Sequence, residues 1–207
     1  METTRTNNST RAVVAVTADD ARCVAIRKRY GDRAAMVAKW MPNACARYIG
    51  THITEAVRGD VPPMVLMMAA YGDSAVEDIV ANFVDWAVTM CGDSQLDRCE
   101  LDQIVHGITD NTKARALNFA LVLAFFPRLA NGDFDLYGFK PVNVLNAYRR
   151  HIDEMAARRD HEVTRQESEQ RDRDRQQWQR DAYKGPALHE YLAGFRAMVN
   201  EMANVKQ

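Results

Sequence analysis

The chain has 207 residues, 47% of them apolar and 27% charged, with a formal net charge of −1. That is enough for one domain with a packed core, or for a domain plus an appendage. The near-zero charge provides no global field to draw in nucleic acid or an anionic membrane, so any such binding has to rest on a local patch.

Residues 1–16, rich in Thr, Asn, Ser and Arg, read as disordered. No apolar segment of signal-peptide length follows the polar start, so a reducing cytoplasm is expected. Cys23, Cys45, Cys91 and Cys99 then read as ordinary thiols, without CxxC or zinc-ligand spacing. Asn7 and Asn8 open glycosylation sequons that carry no meaning without secretion.

The stretch Thr17-Ala-Asp-Asp20 offers an N-cap and acidic first-turn residues, with Asp19 and Asp20 as the acids, for a short helix through Val24 and Ile26, ended by Gly31. Asp32 caps the next helix, carrying Met36, Val37 and Trp40. Pro42 suits the first turn of a third helix running to Val57, before a loop at Gly59 and Pro62-Pro63. Two further helices are expected from Pro63 to Tyr71 and from Ser74 to Cys91. The second carries Val76, Ile79, Val80, Phe83, Val84, Trp86, Ala87 and Met90 at near-helical spacing, with Gly92 just past its end. Met64, Met67 and Met68 read as core, with an adaptable groove as the alternative. Asp97 starts a helix with Leu101, Ile104 and Val105.

Thr109 or Asp110 then caps a helix apolar on nearly every side, with Leu117, Phe119, Leu121, Leu123 and Phe125. Arg115, Asn118 and a length short of the ~20 residues a bilayer needs make it a core helix and exclude a membrane span. Asn131-Gly132 breaks the pattern, and Phe134, Leu136, Tyr137 and Phe139 crowd the following loop. Pro141 restarts a helix striped by Val144, Leu145, Tyr148, Ile152 and Met155. Between Arg149 and Asp181 nine arginines meet nine acids, and Glu154/Arg158, Glu167/Arg171 and Glu169/Arg173 pair at i,i+4. Lys184-Gly185-Pro186 ends this arm. A last amphipathic helix presents Leu188, Tyr191, Leu192, Phe195, Met198 and Val199 on one face.

The fold class is therefore all-α: a bundle of about seven helices with a long protruding charged helix and a C-terminal amphipathic helix. The expected divisions are a disordered N-terminus 1–16, a helical core 17–155, a charged arm 156–185 and a terminal helix 186–207.

Catalytic signals are absent from the sequence. The five histidines show no i,i+4 metal spacing, and His161-Glu162 and His189-Glu190 lack the second histidine of HExxH. Asp133 and Asp135 lack the remaining ligands of a calcium loop. No phosphate-cradling or nucleophile-elbow motif occurs. The expectation is no enzyme, no metal and no cofactor. The graded signal is basic: Lys113, Arg115, Lys140, Arg149, Arg150, Arg158 and Arg159 cluster around the corner and arm.

Leu117–His151 reads LNFALVLAFFPRLANGDFDLYGFKPVNVLNAYRRH, and within it Asn118–Arg150 resembles a pattern in small uncharacterised helical proteins of Bacteroidales phages, prophages and conjugative elements. Gly132, Phe134, Tyr137, Gly138, Tyr148 and Arg150 carry it, although Arg150 follows Tyr148 by two positions where the pattern has three. The resemblance implies a mobile-element accessory role and transfers no catalytic residue.

The expected function is a non-enzymatic interaction or adaptor protein, with Trp178, Leu188, Tyr191, Leu192 and Phe195 contacting a protein partner or a second copy in a homodimer. The alternative is a nucleic-acid-binding replication or DNA-maintenance accessory, with Lys140, Arg149, Arg150, Arg158 and Arg159 on phosphates and an exposed Tyr137 or Tyr148 stacking a base.

Overall fold

The computed structural model describes residues 20–93, 95–184 and 186–204, and the stretch expected to be disordered, 1–16, lies outside them. Twelve helical segments and no strand form among the described residues. The all-α expectation holds, with more breaks than about seven helices allow.

The first breaks follow local chemistry. In α1 (Ala21–Tyr30) the Asp20 carboxylate accepts from the Arg22 amide at 2.8 Å. In α2 (Arg33–Lys39) Asp32 does the same for Ala35 at 2.8 Å. Helix α3 (Pro42–Thr51) begins on Pro42, whose missing N–H costs nothing in a first turn. The expected continuation to Val57 is interrupted: His52, at φ −118° and ψ 39°, separates α3 from α4 (Ile53–Arg58). Helices α5 (Met64–Tyr71) and α6 (Asp73–Cys91) follow, and Gly92 closes α6 in the left-handed region. Asp97 and Glu100 form a reciprocal capping box on α7 (Arg98–Thr109).

The larger departure lies in the apolar run, where one expected helix is three: α8 (Thr112–Ala116), α9 (Phe119–Leu123) and α10 (Phe125–Ala130). Asn111, rather than Thr109 or Asp110, caps the first, accepting from the Ala114 amide. Leu117 and Asn118 then turn extended and pair with the 62–64 segment. Met64 N–H donates to the Leu117 carbonyl and Phe119 N–H to the Pro62 carbonyl, both at 3.0 Å. The Asn118 amide serves both sides: its oxygen accepts from Leu121 N–H at 3.0 Å and its nitrogen donates to the Ala56 carbonyl at 2.5 Å. Between α9 and α10, Pro127 has no N–H to offer the Leu123 carbonyl, so the helix cannot run through.

Helix α6 packs against α2, α3, α5, α7 and α10. Val76, Ile79, Val80, Phe83, Val84 and Ala87 are fully buried along it, and Phe83 meets Phe126 at 5.3 Å between ring centroids. The long helix α11 (Pro141–Lys184) gives Val144, Tyr148, Ile152 and Met155 to the same core. Gly107 of α7 faces Leu145 so closely that a Cβ there would lie 2.6 Å from its δ-carbon.

The 131–140 corner is held by Phe134 against Phe125 and by buried Phe139, whose amide donates to Asp93 at 2.8 Å. Gly132 and Gly138 take the positive φ angles that the turns require, 80° and 71°.

Two compact units divide between Arg159 and Asp160, four residues beyond the expected core boundary, and the charged segment and α12 (Pro186–Asn204) share the second unit. The three anticipated acid–arginine pairs form, at 2.7 Å for Glu154/Arg158, 3.3 Å for Glu167/Arg171 and 3.9 Å for Glu169/Arg173. Arg165 adds bridges to Glu162 and Glu169. No helix among the described residues is long and apolar enough to cross a membrane.

Asn118→Ala removes a cap and orphans the Ala56 carbonyl, and it lowers unfolding free energy by about 2 kcal/mol in denaturant titrations. Asn118→Asp keeps the cap, loses the donor and falls between the two.

Candidate functional site

The most elaborate polar cluster in the first unit centres on Arg128 of α10. Its Nε donates to Asp133 at 2.9 Å, and one terminal nitrogen donates to Glu154 at 2.8 Å and to His151 Nδ1 at 3.1 Å. The guanidinium lies 5.0 Å from the Phe134 ring centroid. His151 is fully buried, and its Nε2 meets the Leu121 carbonyl at 2.8 Å. These partners fix the tautomer: a carbonyl can only accept and a guanidinium can only donate, so Nε2 carries the proton and Nδ1 accepts. Burial depresses the imidazole to about 4; the Leu121 bond opposes that and the Arg128 charge adds to it. Both ring nitrogens are thus spent on holding α11 to α9 and α10. The cluster is an ion-paired brace around a neutral imidazole, and Asp133 serves it as an arginine partner.

Neither Arg128 nor His151 was picked out as a key position in the sequence. The available signal was a charged residue inside an apolar hexapeptide, and a histidine within the stripe of Tyr148, Ile152 and Met155.

The basic residues disperse. Lys140 pairs with Glu100 at 3.3 Å and Arg158 with Glu154 at 2.7 Å. Arg149 donates to Asn146, Arg159 to the Ala116 carbonyl, and Arg150 sits 6.0 Å from the Phe134 centroid. At about 100° per residue, Arg149, Arg150, Arg158 and Arg159 point in four different directions around the helix. Tyr137 is almost wholly exposed. Tyr148, expected as a possible stacking residue, is instead fully buried against Phe125 at 5.3 Å, because it occupies the core stripe of α11.

The partner-binding candidates lie in the second unit. Trp178 on α11 is largely exposed, as are Tyr191, Leu192, Phe195 and Met198 on α12, at 74%, 52%, 54% and 51%. The side chain of Leu188 lies outside the described residues. On α12 the four described side chains fall within an arc of about 120°, the width of an apolar helix face. Among the described residues no group of three or more His, Cys, Asp or Glu could hold a metal ion.

Compared with known proteins, the chain matches no protein-family model, no curated protein and no solved structure.

As pH falls from 6.5 towards 4, the unfolded chain takes up a proton that folded His151 refuses, so stability declines across that window by up to ~3 kcal/mol. His151→Gln flattens this slope in unfolding titrations run between those limits. The buried Tyr148 hydroxyl has no protein acceptor. Tyr148→Phe therefore leaves unfolding free energy unchanged or raises it by about 1 kcal/mol, whereas a decrease would reveal a bond that the hydroxyl makes.

Proposed function

We propose that this chain is a non-enzymatic interaction or adaptor protein of a phage or mobile element, cytoplasmic, and self-associating as a homodimer through its C-terminal helices. The observation that carries the reading is the exposed stripe of Tyr191, Leu192, Phe195 and Met198 on α12. Positions 191, 195 and 198 follow the i, i+4, i+7 rhythm of a helix-pairing seam. Moving each large apolar side chain out of water contributes about 1.5–3 kcal/mol, which favours covering the stripe with another surface.

A second copy supplies a matching surface without further assumptions, since a two-fold axis sets the same patch against itself. Trp178, in the same unit, extends the apolar surface available to a partner. The mobile-element assignment rests on the resemblance of the Asn118–Arg150 segment. Its glycines and Phe134 have structural duties in the corner, so the pattern is informative about fold and silent about activity.

Light scattering on the full chain tests this reading, with Leu192→Asp and Phe195→Asp beside the wild type. The expected result is a wild-type dimer and monomeric variants with unchanged helicity. Each substitution acts twice in a symmetric interface, so dissociation rises roughly a thousand-fold. A monomeric wild type at high concentration overturns the dimer. A salt-sensitive complex with duplex or single-stranded DNA, lost on charge reversal at Arg149 and Arg150, would replace this reading with the nucleic-acid one.

A further inference from the structure

The chain's charge is close to zero only in total. Residues 21–58 hold eight Lys or Arg against two acids, whereas residues 59–110 hold ten acids against one arginine. Helices α1, α2 and α3 contain no acidic residue at all. The first four helices pack in succession, so the first unit has a basic surface whose local field the net charge conceals.

Much of this charge is unspent. Lys28, Arg29, Lys39 and Arg47 are exposed, and Lys28, Lys39 and Arg47 have no acidic partner among the described residues. The two acids of the stretch are in use: Asp32 caps α2, and Glu55 accepts from the Tyr48 hydroxyl at 2.9 Å. Arg29 is shared with Asp60 at 3.2 Å. Arg29 and Lys39 meet over one ring, 5.4 and 4.7 Å from the Tyr30 centroid. With Tyr48 they border a cavity of about 320 Å³ beside Trp40. Tyr48, 58% exposed, lies flat on His52, with centroids 4.4 Å apart and planes 13° from parallel. His52 thus steadies one face of the ring, and Arg47 precedes it on α3.

We propose that the α1–α4 surface binds single-stranded nucleic acid, with Lys28, Arg29, Lys39 and Arg47 on phosphates and Tyr48 stacking a base. Such a strand needs cations for its backbone and a flat ring for its unpaired bases, and this surface offers both. An acidic protein would use the charge and leave the ring idle. A second copy is a poor source of that acid. On its 59–110 side Asp78 pairs with Arg33, Glu100 with Lys140 and Asp110 with Arg115, while Asp97 caps α7. The surface shares no residue with the arginines of α11 or with the α12 stripe, so a homodimer would carry it twice.

The test is fluorescence anisotropy of a labelled oligothymidylate titrated with the full chain across a range of salt. The expected outcome is saturable binding with a log–log salt slope of about −3 for four phosphate contacts. Lys28→Gln, Lys39→Gln and Arg47→Gln combined leave one contact and a slope of about −0.7. Tyr48→Ala weakens binding roughly tenfold, and Tyr48→Phe, which keeps the ring, restores it. Arg149→Gln with Arg150→Gln changes neither slope nor affinity. All these positions are exposed, and circular dichroism verifies that each variant is folded. Four results each overturn the proposal: no saturable binding at low salt, an undiminished slope in the triple variant, equal affinity in Tyr48→Ala, or tighter binding of a duplex of equal length. Salt-sensitive self-association that the triple variant loses, with no oligothymidylate bound, would also overturn it and assign the surface to a protein.

Discussion

The architecture of the first unit depends on the two extended residues at Leu117 and Asn118. They exchange backbone hydrogen bonds with the Pro62–Met64 segment while the Asn118 side chain reaches Ala56, so three stretches of chain meet at one point. Without that break, an apolar helix running from Thr112 onward would travel in one direction and present its hydrophobic surface all round, more than one partner layer could cover. With it, α9 and α10 are turned so that Phe119 meets Trp40 while Phe125 and Phe126 meet Tyr148 and Phe83. The central apolar segment thereby serves several neighbouring helices at once.

Local signals made much of this fold legible. Asp32 and Asp97 start helices as expected, and Asp20, expected as a first-turn acid, is itself the cap, because a short carboxylate side chain can take an amide proton in the first turn. The stripes of α6 and the start of α11 were equally readable, since each has a polar face to contrast with its apolar one. The 112–130 run hid its breaks for the opposite reason: when every face is apolar, periodicity carries no information about where a helix stops. The His52 interruption and the approach of Gly107 to Leu145 arise from tertiary fit, which sequence spacing does not encode.

The candidate surfaces divide along the same line. The α12 stripe could be read because it is a one-dimensional pattern, and its described members are exposed as that pattern implies. The basic cluster looked coherent along the chain but disperses around the helix once each residue is given its angle. The Arg128–His151 brace joins positions 23 residues apart, and the cavity beside Trp40 is lined from six segments, α1, the end of α2, α3, α4, the 59–61 loop and α9. No run of sequence announces either one, because what makes them notable is which bonds are made and which are left unmade.

The brevity of α8, α9 and α10 bears on the order in which the molecule assembles. Helices of five or six residues are well below the length that sustains itself in water, so their turns form only as their neighbours arrive. For α9 one such neighbour is His151, thirty residues downstream, whose ring occupies the Leu121 carbonyl. The centre of the core therefore belongs to a late, long-range step of folding, while α6 and the start of α11 have the local periodicity to form early. In hydrogen exchange terms, the amides of α9 should share the protection of the whole unit, because they have no means of opening or closing by themselves.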